Sequence, residues 1–222
     1  MFEVVAVPEN TINKIAKAQN GYFFLKNAVD AGISRWQLQE LLKARKIQKV
    51  RYGLYALSGV VPDELFITQL LCPKAVFSHE TALFLNRYSD QIPFKYTLAV
   101  PHGYISKTLS AEYDVRHVAK EYATEGIVSV KSDLGNDLRL YCIERTLCEL
   151  LHKPSELDKE RFIPAIRKYA ASPEKDFLLL MKFGKIFHVE KKLLSYLEAI
   201  NSSYFDFGYN CRRQYLPETQ KT

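Results

Sequence analysis

The chain is 222 residues long, 47% hydrophobic and 13% aromatic, with a charged fraction of 25% and a formal net charge of +6. That length and apolar content suffice for real cores in one large domain or two small ones, and with no low-complexity tract they exclude a disordered chain. No apolar run approaches the roughly 20 residues that span a bilayer, and the opening MFEVVAVPENTINK has no basic region ahead of a long apolar stretch, so a cytoplasmic protein with no membrane partner is expected.

The positive charge is unevenly placed. Residues 1–60 hold nine Lys or Arg against four Asp or Glu, a net of +5, whereas the rest hold 22 against 21. Within that basic stretch, Gly21 to Leu57 opens with an apolar-periodic run (Phe24, Leu25, Ala28, Val29), breaks at Ala31-Gly32 and restarts at Ser34, whose hydroxyl suits a helix N-cap. The spacing predicts two short helices about a Gly turn. The second, from Arg35 to about Arg45, places Leu38, Leu41 and Leu42 on one face and leaves Trp36, Gln37, Gln39, Glu40 and Lys43 on the others. Ile47 to Val50 and Leu54 to Leu57 then flank Arg51-Tyr52-Gly53, which predicts a two-stranded hairpin whose tip needs glycine for a positive φ. Together these elements form a winged helix-turn-helix over residues 1–60, and its concentrated charge fits a surface that neutralises phosphates on duplex DNA.

The residue types assign roles on such a surface. Arg35, Gln37, Gln39 and Lys43 are candidates for base edges or their flanks, with Trp36 beside them, since Arg pairs with guanine and Gln with adenine in two-bond geometry. By helical phase Arg35 lies nearer the buried side than Trp36 or Lys43. Lys46, Lys49 and Arg51 are expected on phosphates, with Tyr52 at the wing tip. A single module of this size buries little surface, so two copies on inverted repeats are expected. A competing reading is an RNA or interaction protein in which Tyr22, Trp36 and Tyr52 stack on unpaired bases.

Ser58-Gly59-Val60-Val61-Pro62 closes the first domain near residue 60, and residues 61–222 form a second, mixed α/β domain ending in several helices, an α+β chain overall. Leu65 to Leu71 and Ser78 to Leu85 predict helices. Tyr96 to Val100, Val115 to Val118, Ile127 to Val130 and Leu138 to Cys142 predict a small sheet. A helix follows from Glu144 to Pro154, which stops it. Three more carry Phe162 to Ala170, Phe177 to Phe183 and Val189 to Ile200, with Pro164 predicting a kink or a late start in the first. The tail from Asn201, with Tyr204, Phe205, Phe207, Tyr209 and then Cys211-Arg212-Arg213, is aromatic enough to pack.

No catalytic constellation emerges, so no enzyme activity and no cofactor are expected. Glu190-Lys191-Lys192 with Asp176 upstream matches the short part of a restriction-type nuclease motif, but both fall in segments of helical periodicity where they would form a solvated face. His79, His102, His117, His152 and His188 lack the spacing of a helical zinc site, and Cys72, Cys142, Cys148 and Cys211 are too scattered for a metal knuckle and read as core thiols. Asp206-Phe207-Gly208 lacks every other kinase element, and no Asp-x-Asp pair of a nucleotidyltransferase occurs.

Four stretches carry a family resemblance: GISRWQLQELLKARKIQKVRYGLYAL, FSHETALFLNRYSDQIPFKYTLAVPHGY, YCIERTLCELL and VEKKLLSYLEAI. In these the chain resembles the AbiEi family of antitoxins and transcriptional regulators from type IV toxin–antitoxin systems linked to abortive phage infection. The resemblance implies a DNA-binding N-terminal domain that represses its own operon through its promoter, and a C-terminal domain that counteracts a nucleotidyltransferase-like toxin encoded alongside. The missing Asp-x-Asp pair accords with the antitoxin half of such a system. No residue of the second domain is assigned to toxin neutralisation, and a regulator without an antitoxin role is the alternative.

Overall fold

The computed structural model describes residues 6–104 and 107–200. The aromatic tail from Asn201, Cys211 included, lies outside the described residues. The chain is of mixed α+β class and divides into two compact units: residues up to Thr68 together with 131–136, and the remainder. No described helix is long and apolar enough to cross a membrane.

The first unit begins with α1 (Ala6–Lys17), then β1 (Tyr22–Phe24), α2 (Leu25–Asp30), α3 (Arg35–Lys43), β2 (Ile47–Arg51) and β3 (Leu54–Leu57). The strands form an antiparallel sheet in the order β1-β3-β2, with Tyr22 opposite Ala56 and Ile47 opposite Leu57. Its core gathers Ile12 and Ala16 from α1, Phe23, Ala28, Ile33, Leu38 and Leu41, Ile47 and Tyr55. Val29, expected in the apolar run, is instead 47% exposed. Gly32 and Gly53 take the positive φ their turns need, +83° and +74°.

After α1 the chain turns through Asn20, also left-handed, and the Gly21 amide donates back to the Ala16 carbonyl at 2.9 Å, the long bond of a Schellman closure. Gly21 sits at φ +91°, and a Cβ there would meet Val60 Cγ2 at 2.6 Å. Next to it Tyr22 is wholly buried. Its hydroxyl donates to the Val61 carbonyl (3.1 Å) and accepts from the Asp63 amide (3.0 Å), and burial above all, then the nearby Asp63 and Glu64 charges, raise its pKa against the lowering effect of that amide. Asp63, 5% exposed, accepts through Oδ1 from the Phe66 amide and through Oδ2 from Ser132 Oγ and Asn136 Nδ2. Residues 61–68 and 131–136 therefore group with the first unit, and the boundary expected near residue 60 falls inside it.

α4 (Glu64–Leu71) leads into the second unit, whose sheet comprises β4 (Val76–Phe77), β5 (Thr97–Pro101), β6 (Asp114–Val118), β7 (Ile127–Lys131) and β8 (Asp137–Tyr141) in the order β6-β5-β4-β8-β7. β4 runs antiparallel to β5 and parallel to β8, and β5 runs parallel to β6. The helices are α5 (His79–Leu85), α6 (Lys107–Glu112), α7 (Ile143–His152), α8 (Lys159–Ala171), α9 (Phe177–Ile186) and α10 over residues 190–200, with a short 3-10 turn at Pro154–Glu156. Leu83, Leu147, Leu151, Phe162, Ile166, Tyr169, Leu180, Phe183, Leu193 and Ile200 join α5, α7, α8, α9 and α10 into one core. α8 starts at Lys159 under an Asp158 cap and carries Pro164 inside it, so the late start expected from that proline does not occur. As the sixth residue of α8, Pro164 forfeits the amide bond to the Glu160 carbonyl.

Cys72, Cys142 and Cys148 are buried free thiols, and burial pushes Cys142 up to about 11. Asp176 caps α9 by accepting from the Leu179 amide at 2.9 Å, and Glu190, Lys191 and Lys192 are helical, so the strand a nuclease motif requires is absent there.

Three substitutions test the packing of the first unit by urea denaturation. Asp63→Ala leaves the Ser132 and Asn136 donors without their acceptor and should cost about 1–3 kcal/mol. Gly21→Ala and Gly53→Ala both impose a left-handed φ on alanine, at about 1–2 kcal/mol, but only the first also collides, since nothing lies within 4 Å of a Cβ at Gly53. Gly21→Ala should therefore be the more damaging.

Candidate nucleic-acid interface

α3 is set by its start. Ser34 Oγ accepts from the Gln37 amide (3.2 Å) while Gln37 Oε1 accepts from the Ser34 amide (2.9 Å), a reciprocal capping box that satisfies two otherwise orphaned donors. Leu38 and Leu41 anchor the inner face, with Leu42 only partly buried. The outer face carries Arg35, Trp36 and Gln39, and Trp36 is 66% exposed. Arg35 is exposed as well, although helical phase places it toward the core; as the first helical residue it can splay outward.

One candidate changes role. Gln37 is held by the capping box, so its amide is committed to the backbone rather than free to read a base edge. The other polar candidates are exposed, several in surface ion pairs. Lys43 meets Glu40 at 2.7 Å, Lys46 meets Glu9 at 3.3 Å, and Arg51 meets Glu64 at 2.6 Å. Such pairs contribute about 0–1 kcal/mol, so these cations can exchange a carboxylate for a phosphate. Arg45, exposed and at φ +54° just past α3, adds a charge not singled out from the sequence; its place in a basic stretch was the available signal.

The hairpin presents Lys49, Arg51 and Tyr52 together. Between Lys49, opposite Tyr55, and Arg51, opposite Leu54, β2 carries one extra residue, a bulge at Val50. Lys49 Nζ lies 5.8 Å from the Tyr52 ring centroid, and Tyr52 is 94% exposed at the tip. The Gly53 carbonyl accepts from the Leu25 amide at 2.8 Å, which ties the tip to the start of α2.

The second unit holds a separate feature that the sequence did not disclose. His79, His117 and His152, which are far apart in the chain, line one cavity with Tyr122, Arg145 and Glu149. No group of three or more His, Cys, Asp or Glu arranged to hold a metal ion occurs among the described residues.

No family model and no curated protein matches the chain. The fold is similar to the crystal structure of the RV2827C protein from Mycobacterium tuberculosis, with a TM-score of 0.58 over 89% of this chain and 78% of that one, at 13% sequence identity. Identity that low limits the likeness to fold.

Ser34→Ala removes half of the capping box and should lower stability by about 1 kcal/mol. The other half, Gln37 Oε1 accepting from the backbone amide of residue 34, survives in that variant, so solution NMR should still register an ordered Gln37 side-chain amide.

Proposed function

We propose that residues 1–60 act as a winged helix-turn-helix on duplex DNA, with α3 in the major groove and the β2–β3 hairpin as the wing on the backbone. The observation that carries this reading is the outward array of Arg35, Trp36, Gln39, Lys43, Lys46, Lys49, Arg51 and Tyr52 on residues 1–60, which hold a net +5 of the chain's +6. Flexible cations in weak exposed pairs suit phosphate contacts, and long polar side chains on an anchored helix suit base edges. Gln37, tied into the cap, is left to position the helix.

The regulatory and antitoxin parts of the proposal rest on the sequence resemblance to the AbiEi family. The protein would repress its own operon by binding inverted repeats in the promoter and counteract an adjacent nucleotidyltransferase-like toxin. Two exposed aromatic rings, Trp36 and Tyr52, also favour a second reading, stacking on single-stranded RNA.

A gel-shift titration on the promoter tests the first part. The Lys49→Glu, Arg51→Glu double variant should weaken binding to all duplex sequences and reduce the slope of log K against log salt by about 2, close to one unit per lost phosphate contact. Unchanged affinity and slope would remove the wing assignment, and preference for single-stranded RNA of matched length would select the second reading. For the antitoxin role, co-expression of the full chain with the adjacent gene product should restore growth, and the double variant should still restore it while failing to repress. Failure of the wild-type chain to rescue would leave a regulator alone.

A further inference from the structure

Helix α7 is unusual in being enclosed almost all round: residues 144–151 are all buried, and they include Glu144, Arg145 and Glu149. Buried charges need full sets of partners, because a half-satisfied ion pair is worse than apolar packing of the same volume. Glu144 has the Asp176 amide. Arg145 donates through Nε to Glu149 Oε1 (2.9 Å) and through Nη1 to the Tyr122 and Glu125 carbonyls, and its guanidinium lies 3.3 Å from the Tyr141 ring centroid. Two atoms are left over. Arg145 Nη2 and Glu149 Oε2 are both buried and have no hydrogen-bond partner among the described residues. Structural economy does not account for the pair either, since an Arg four residues ahead of a Glu is the less favourable order on a helix.

Both residues line a cavity of about 560 Å³, within the range of small-molecule sites. The two open positions are of opposite kind, a donor at Arg145 and an acceptor at Glu149. A simple anion answers the first and is repelled by the second. The rest of the wall offers no excess of cations: Arg116 is shared between Asp114 and Glu156, and Lys153 also meets Glu156. The wall is instead rich in flat rings, with Tyr122, Phe187, His79, His117 and His152 all contributing. His79 is held in the left-handed region at φ +49°, with Nδ1 3.1 Å from Ser78 Oγ and 3.7 Å from Glu149 Oε2. Backbone strain of this kind collects where a side chain must be aimed.

We propose that this cavity binds a small molecule bearing a nucleobase. The base edge supplies an acceptor to Arg145 Nη2 beside a donor to Glu149 Oε2, and the base plane lies against the aromatic wall, where stacking is favourable for any base. Asp114 and Glu156 balance the rim cations Arg116 and Lys153, so an attached phosphate meets no net positive charge, and a nucleoside and its 5′-monophosphate should bind alike.

The test uses the full chain, the four common nucleosides and their 5′-monophosphates, followed by calorimetry and by amide chemical-shift mapping. At least one base should bind with one-to-one stoichiometry, with shifts centred on α7, β6 and the start of α5. Glu149→Gln keeps an amide oxygen for Arg145 Nε but turns the open acceptor into a donor, so affinity should fall at least tenfold while thermal melting confirms the fold. Lys153→Ala should change affinity less than twofold. The proposal is overturned if no nucleoside or nucleotide binds at millimolar concentration, if the shifts map elsewhere, or if folded Glu149→Gln binds as the wild type does. Should that variant not fold, the wild-type shift map alone decides. Tight binding of monophosphates with none of nucleosides would instead make this an anion site and equally end the base reading.

Discussion

The second unit is organised by the enclosure of α7. An amphipathic helix normally keeps one face in water, yet here β8, α5, α8 and α9 contribute residues around a helix whose buried stretch includes three charged side chains. The apolar residues meet Leu83, Phe162, Ile166, Leu180 and Phe183, each such burial stabilising by about 1.5–3 kcal/mol. The polar ones are stitched to backbone. Thr146 Oγ1 donates to the Cys142 carbonyl at 2.8 Å, and Cys148 Sγ donates to the Leu180 carbonyl at 3.6 Å. Tyr141, whose hydroxyl donates to the Ala123 carbonyl, has its pKa raised strongly by burial, so it stays a neutral platform for the Arg145 cation.

The first unit solves a different problem. It keeps a small core closed beneath a charged face by turning Ile12, Ala16, Phe23, Leu38 and Leu41 inward, with Trp36 left exposed, and by fastening the chain after β3 to Tyr22. The exposed face is then nearly independent of stability. Its ion pairs are exposed, so each contributes only about 0–1 kcal/mol.

Much of this was legible in the sequence. The Gly turn, the Ser34 cap, the α3 limits to within two residues and the hairpin about Gly53 all follow from local rules of helix capping and turn geometry. β1 and β4 were not legible, because strands of three and two residues buried on both faces show no alternation to detect. α1 lies upstream of the Gly-turn motif, which does not reach it, though Ile12, Ile15 and Ala16 have helical spacing. The engagement of Gln37 in the cap was visible in principle, since Ser followed three residues later by Gln is a capping-box signal. The gathering of His79, His117 and His152 was not, since it depends on how β6, α5 and α7 pack.

One further consequence belongs to β2. In the order β1-β3-β2 it is an edge strand, which carries a row of backbone groups open to pairing with another chain. The bulge at Val50 and the outward Lys49 and Arg51 are devices that discourage such edge-to-edge association. The same side chains thus guard solubility whatever else they contact. Reversing their charge keeps the guard, whereas replacing them with neutral β-branched residues would leave a strand inviting self-assembly.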